Sequence, residues 1–406
     1  MRIAQRAQRV EPFYVMELAK AAASMAQGTG AQDRPMIYLN IGEPDFTAPP
    51  LVTAAAVRAI DAGRSQYTQA TGLPALREAI SGWYASRFGL DIDPARIVVT
   101  AGASAALQLA CLALIEAGDE VLMPDPCYPC NRQFVQAAEG RAVMVPSGPE
   151  QRFQLSAEQV EASWRPATRG VLLASPSNPT GTSIARDELE RIARFVRARG
   201  GVTLVDEIYL GLSFEAEFGH SALGLPHGLG DEVISINSFS KYFNMTGWRL
   251  GWLVLPPALV PAVERLAQNL FICASTIAQQ AALACFEPHS LAEYERRRQE
   301  FKARRDFFIP ALNRIGLNVP VMPDGAFYAW ADVRGLCEHW GIAPQGARPD
   351  EGGSWSLAFE LMKRCQLATT PGRDFGHAEP GRYLRFSTAN SMAQLQEAVL
   401  RLEQAL

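Results

Sequence analysis

At 406 residues the chain is too long for one simple core, so two domains are the natural expectation. An apolar content of 48% with 20% charged residues excludes an intrinsically disordered protein. A net charge of -4, with no run of Lys or Arg, implies neither nucleic acid nor an anionic membrane as a partner and favours small molecules.

The N-terminal stretch MRIAQRAQRVEPFYVMELAKAAASM has scattered positive charge and no continuous apolar segment, so it reads as an amphipathic helix and not as a signal peptide. No stretch approaches the roughly 20 apolar residues needed to cross a bilayer. A Gly/Pro-rich loop follows at 42–50. Beyond it helical stretches alternate with short β-branched runs at 96–100, 120–123, 170–174, 202–206, 233–238 and 250–255. That alternation predicts an α/β large domain with a mostly parallel sheet covered by helices on both faces. Near residue 286 the pattern changes to a long charged helix at 294–315. It is followed by strand-like 326–331, a helix near 354–364, strand-like 383–387 and a final helix, together a smaller α+β unit. Between Asp332 and Ser354 lies the polar, Gly/Pro-rich GIAPQGARPDEGG, expected to be a surface insertion, inert or mobile. The seven cysteines are odd in number and dispersed, as expected for reduced thiols in a cytoplasm. Cys127 and Cys130 form a C-x-x-C without a second pair or a nearby His, and the five histidines show no ligand spacing, so no metal site is expected.

Open α/β sheets bind ligands at the carboxyl ends of their strands, which directs attention to the residues just after the β-branched runs. Lys241 lies in SFSKYFNMTGWRLG among aromatic and apolar neighbours. Loss of hydration there lowers an amine's pKa and frees it to attack an aldehyde. Ser238, Ser240 and Arg249 add donors and a fixed cation suited to a phosphate ester. The run ending at Thr100 is followed by Gly102, Ala103 and Ser104 and then a helix, a turn whose N–H groups can approach a phosphate at the positive helix end. Asp206 ends VTLVD, where a carboxylate is costly to bury unless it caps a helix or meets a cation such as a pyridinium. Tyr209, three residues on, can point toward the same site, and Asn178, in SNPTG, offers an amide, although SNPTG also reads as a plain turn.

Taken in order, the NIGEPDF segment (40–46), SNPTG, DEIY, SFSK…R and RFS (385–387) resemble the class I/II aminotransferases of fold type I, enzymes that use pyridoxal 5'-phosphate (PLP). The resemblance implies that Lys241 forms the Schiff base with PLP and that Asp206 pairs with its pyridine nitrogen. Asn178 and Tyr209 are implied to bond the 3'-oxygen, Tyr128 to stack on the ring, and Gly102, Ala103 and Ser104 to hold the phosphate. Arg385, with a backbone N–H of Gly42 and Asn178, is implied to bind the substrate's α-carboxylate. Tyr67 matches a tyrosine that reaches the neighbouring subunit's phosphate, which implies a homodimer with shared active sites. The expected division is 1–47 and 287–406 as the small domain and 48–286 as the large one. Amino acids and 2-oxo acids are the implied substrates. A C–S β-lyase or a cyclising synthase on the same framework remains an alternative. A PLP-binding regulator fits poorly, because only about forty residues precede the Gly42 loop. The helix at 105–116 has no Lys or Arg, which leans toward neutral or aromatic amino acids over dicarboxylic ones.

Overall fold

The computed structural model describes residues 1–12, 14–26, 34–344 and 352–406. Its centre is a seven-stranded sheet in the spatial order Ile97–Thr100, Gly251–Val254, Ile234–Ser238, Val202–Asp206, Thr168–Ala174, Glu120–Asp125 and Arg141–Pro146. Gly251–Val254 alone runs antiparallel to both neighbours; the remaining pairings are parallel. The four strands from Ile97–Thr100 to Val202–Asp206 in this order are almost wholly buried, as expected where helices cover both faces. The six runs read from the sequence are all present, with ends shifted by one or two residues. Arg141–Pro146 was not anticipated. It is an edge strand whose outer residues face solvent, so its sequence lacks the continuous β-branched signature of the central strands.

The reversed strand has a direct consequence for the site. Gly251 stands in register with both Thr100 and Ser238, the last residues of their own strands. Residues just before Gly251 therefore lie at the same sheet edge as residues just after the parallel strands. A Cβ at Gly251 would come within 2.7 Å of the Ala103 nitrogen, so the missing side chain lets the Gly102–Leu114 helix begin against the sheet.

The second unit is built on a three-stranded antiparallel sheet, Thr370–Pro371, Tyr383–Ser387 and Tyr328–Asp332. Two-residue strands, Ile37–Tyr38 and Leu367–Ala368, pair in parallel and tie the N-terminal segment to it. One apolar cluster gathers Leu18, Ala22, Met36, Ile37 and Leu39 with residues from Phe308 to Leu402. The long charged helix is Pro288–Arg314, beginning six residues before the sequence reading, with a proline at its first turn. Its N-terminal half sends Tyr294 and Phe301 into the large cluster, and its C-terminal half sends Phe308, Ile309 and Leu312 into the small one. The expected single N-terminal helix is two, Gln5–Arg9 and Val15–Ala26, separated near Pro12, which lacks the N–H a continuous helix needs. Most of the 341–353 insertion lies outside the described residues.

The large core is held by an aromatic cluster centred on Trp252, fully buried among Trp83, Tyr84, Phe239 and Phe243, with its indole N–H donated to Tyr84. Trp252→Ala should lower the stability of folding by about 3–5 kcal/mol, read as a fall in the midpoint of denaturant unfolding.

Candidate active site

Lys241 follows the Ile234–Ser238 strand and is half-buried. Its Nζ donates to the Gly42 carbonyl at 2.5 Å and lies 5.8 Å from the centre of the Tyr209 ring and 5.9 Å from that of Phe327. Burial, reinforced by the charges of Arg385 and Arg249, pushes the amine down to about 8, against the opposing carboxylates of Glu43 and Asp206. The dehydrated setting expected of this lysine is present, and half of its surroundings come from segments distant in sequence.

Asp206 ends its strand with only 4% of its surface exposed. Among the described residues its carboxylate accepts one hydrogen bond, from the Ile208 N–H at 3.2 Å. Burial therefore pushes it up to about 7; the Ile208 bond and Lys241 oppose the rise, and the neighbouring Glu207 adds to it. Burial pushes Glu207 up to about 7 as well, but it differs in its partners: Ser221, Ser235 and the Ala222 N–H all donate to its carboxylate. One acidic group is satisfied within the fold and the adjacent one is not. An aspartate in that condition fits a cationic partner supplied by a bound ring.

At the same sheet edge, Gly102 adopts φ +80°, and a Cβ on it would fall 2.5 Å from Arg249 Nη2. Gly102, Ala103 and Ser104 form the first turn of a helix whose start has no side-chain cap, leaving backbone N–H groups to donate outward. Arg249, itself at φ +55°, is fastened by a bond from Nη1 to the Thr246 carbonyl. Ser240 donates its N–H to Ser238 Oγ, and Ser238 Oγ donates to the Leu250 carbonyl, which fixes the turn that carries Lys241. These groups bring backbone donors and a cation together at one sheet edge, with Ser238 serving to shape the turn. Tyr128 is half-buried at the start of the Pro129–Ala137 helix, close enough to Asp206 and Tyr328 to feel their charge. Tyr67 is 85% exposed on this chain.

Arg385, in Tyr383–Ser387, is buried and gathers three segments of the chain. It donates to Asn178 Oδ1 at 2.8 Å, to the Asn40 carbonyl at 2.7 Å and to Thr370 Oγ1 at 3.3 Å. Its guanidinium packs over Tyr328 and Phe375, 4.5 and 5.0 Å from the ring centres, and its Nε has no partner among the described residues. Asn178, with its oxygen engaged by Arg385, keeps its amide N–H groups to donate elsewhere. The turn bearing it is pinned by the Asp324 and Gly325 N–H groups, both donating to the Gly181 carbonyl. Tyr209 Oη meets Tyr328 Oη at 2.7 Å, and both phenols are buried.

Contacts thus join Lys241 to Gly42 and Tyr209, Arg385 to Asn178, Gly102 to Arg249, and Tyr128 to Asp206, while Tyr67 stands exposed. Sequence reasoning missed Tyr328, Phe327, Phe375, the Asn40 carbonyl and the Gly42 carbonyl. The aromatic residues sit in or beside ordinary strand-like text, and the carbonyls carry no side-chain signal at all.

The pattern of aminotransferase class I and II matches residues 34–402. A valine–pyruvate aminotransferase of Mycobacterium tuberculosis is 37% identical over 99% of this chain and 97% of its own length. An aspartate aminotransferase of Streptomyces avermitilis is 35% identical over 95% of this chain and 93% of its own. The crystal structure of an aminotransferase from Mycobacterium tuberculosis superposes with a TM-score of 0.90 at 36% identity, covering 100% and 98% of the two chains. The chain belongs to the class I and II aminotransferase family. It is a PLP-dependent transaminase of fold type I, acting on amino and 2-oxo acids.

Gly102→Ala places a side chain both in a left-handed backbone conformation and against Arg249. Apoenzyme carrying it should bind PLP about tenfold more weakly, as judged by fluorescence titration, and its folding stability should fall by about 1–2 kcal/mol, read as a lower thermal midpoint.

Proposed function

We propose that this transaminase takes a neutral or aromatic L-amino acid as donor, with Lys241 as the residue that bonds the cofactor's aldehyde carbon and Arg385 as the residue that binds the donor's α-carboxylate. The observation that carries the reading is a buried arginine with no carboxylate at ion-pair distance among the described residues, set beside a lysine of depressed basicity. A buried guanidinium without an anion is costly, and a substrate carboxylate relieves it. The planar fork, already oriented by Asn178 and Asn40, fixes which bond at the substrate's α-carbon faces Lys241.

In this reading Gly102, Ala103, Ser104, Ser240 and Arg249 hold the phosphate, Tyr128 lies against the ring, and Asp206 keeps the ring nitrogen protonated. Asn178 and Tyr209 donate toward the 3'-oxygen. PLP, when bound, supplies an electron sink for charge developing at the substrate's α-carbon. Lys241, once released from the cofactor, takes the α-proton, and its amine is well matched to the task because burial lowers its proton affinity into the working range. Gly42 adds a backbone N–H toward the carboxylate, and closure of the small unit over it would exclude water.

The division of residues 1–47 and 287–406 from 48–286 is supported by the two largest apolar clusters, although besides the shared helix Ala326, Phe327, Tyr328 and Ala389 pack into the larger one. The exposure of Tyr67 supports the homodimer: a second copy would bring it to the neighbouring phosphate. The free state of all seven cysteines supports a reducing, cytoplasmic setting; among the described residues no helix is long and apolar enough to cross a membrane. The reading of a neutral donor is supported by the valine–pyruvate relative and by the absence of Lys and Arg from the Gly102–Leu114 helix.

Four outcomes test these assignments. Uptake of PLP by apoenzyme should accelerate with pH up to about 8 and level off above it, because below that value most of the Lys241 amine carries a proton. Lys241→Ala should lose turnover and the visible absorption of bound cofactor. With amino donors assayed against pyruvate and 2-oxoglutarate, neutral or aromatic donors should give the highest kcat/KM. Arg385→Lys should lower kcat/KM about a hundredfold for every donor, since an ammonium cannot reproduce the paired hydrogen bonds.

A further inference from the structure

Tyr328 occupies the centre of the site and has no part in the roles described so far. It lies in Tyr328–Asp332, where it stands opposite Ser387 in register. Its ring is fixed by Phe327 at 4.9 Å and by Tyr209 at 5.6 Å in an edge-on arrangement, and the Arg385 guanidinium lies over its face at 4.5 Å. Its oxygen is 2.7 Å from Tyr209 Oη and only 2.7 Å from where a Cβ of residue 42 would stand. Gly42 is therefore a glycine at least in part because this phenol needs the space. Tyr209 is the only side-chain partner of the Tyr328 hydroxyl among the described residues.

Two phenols in contact share two protons, and either oxygen can donate to the other. Only one arrangement leaves the Tyr209 proton free for an acceptor outside the pair: Tyr328 donates to Tyr209, and Tyr209 donates onward. The cation over the Tyr328 ring favours that direction, because it stabilises negative charge on the Tyr328 oxygen and so makes its hydroxyl the stronger donor. A donor whose oxygen itself accepts a hydrogen bond is polarised and binds its own acceptor more strongly.

We propose that Tyr328 is a positioning residue that donates its hydroxyl to Tyr209 and thereby orients and strengthens the bond from Tyr209 to the cofactor's 3'-oxygen. This role rests on the reading of Tyr209 and Lys241 given above. Through it Arg385, which binds the substrate carboxylate, and Tyr209, which touches the cofactor, are joined by one intervening side chain. A stronger bond at the 3'-oxygen favours its anionic form, which lowers the pH at which the lysine-bound cofactor loses its proton.

The readout is the visible absorption of purified, PLP-loaded protein titrated with pH, with cofactor affinity and thermal unfolding measured beside it. Tyr328→Phe keeps the ring and removes only the hydroxyl. It should raise the spectroscopic midpoint by about 0.3 of a unit, and Tyr209→Phe by about one unit. Combining the two should add nothing to Tyr209→Phe alone, because Tyr328 acts through Tyr209. The charged and titratable groups around Lys241, namely Glu43, Arg385, Arg249 and Asp206, and those around the phenol pair, Arg385 and Tyr128, are the same in every variant. Replacing Tyr328 with a ring-fluorinated tyrosine, a better donor of nearly the same shape, should move the midpoint the opposite way, and this covers the case in which Tyr328→Phe folds poorly. An unmoved midpoint in both Tyr328 variants, or a Tyr328→Phe shift that persists in full when Tyr209 is already Phe, overturns the proposal while leaving Lys241 in place. A parent protein whose visible band survives Lys241→Ala overturns the proposal together with the assignment of Lys241.

Discussion

The contact on which the site depends is that of the Arg385 guanidinium with Asn178 and the Asn40 carbonyl. One side chain from the small sheet reaches the turn after the Thr168–Ala174 strand of the large sheet and the segment that enters from the N-terminus. Burying a guanidinium costs several kcal/mol unless its donors are met. Here Nη1 and Nη2 are met by neutral oxygens, which orient the group without cancelling its charge, and Nε is left without a partner among the described residues. The uncancelled charge adds to burial, the larger cause, in lowering the proton affinity of Lys241. In the proposed reading the same charge would attract the substrate carboxylate.

A second imbalance stands at the opposite side of the amine. Asp206 and Glu207 are adjacent and almost equally buried, yet the fold supplies three donors to Glu207 and one to Asp206. The alternation of side chains along an extended segment sends them to opposite faces, one into packed hydroxyls and the other toward the ligand edge. Stability is served by the first and chemistry by the second. The sheet tolerates the under-satisfied carboxylate because Asp206 lies at a strand end, where a ligand can reach it.

Much of this arrangement is legible in the amino-acid text because it depends on local patterns. Buried parallel strands read as β-branched runs, and the chemistry sits just after them, so Asp206, Ser238 and the Gly102 turn announce themselves by position. Arg141–Pro146 escaped because a half-exposed edge strand has no such run. Tyr328 escaped for a different reason. Its significance comes from meeting Tyr209, 119 residues away, and from the space left by Gly42, and neither relation leaves a mark near residue 328. The carbonyls of Asn40 and Gly42 were invisible since every residue possesses one. What sequence omits is pairing between distant segments, and that is where the site's electrostatics are decided.

The helix Pro288–Arg314 is rooted at one end among Tyr294 and Phe301 and at the other among Phe308, Ile309 and Leu312. A rod of 27 residues extends about 40 Å. Clamped in two separate cores, it acts as a common axle: the smaller unit cannot slide freely across the larger one, and its swing is confined to flexing of this shaft. Pro310 lacks the amide that would bond to Asp306, so the ladder is weakest just inside the smaller core. A bend is therefore favoured beside Phe308, Ile309 and Leu312, and the Tyr294–Phe301 end keeps its unbroken ladder.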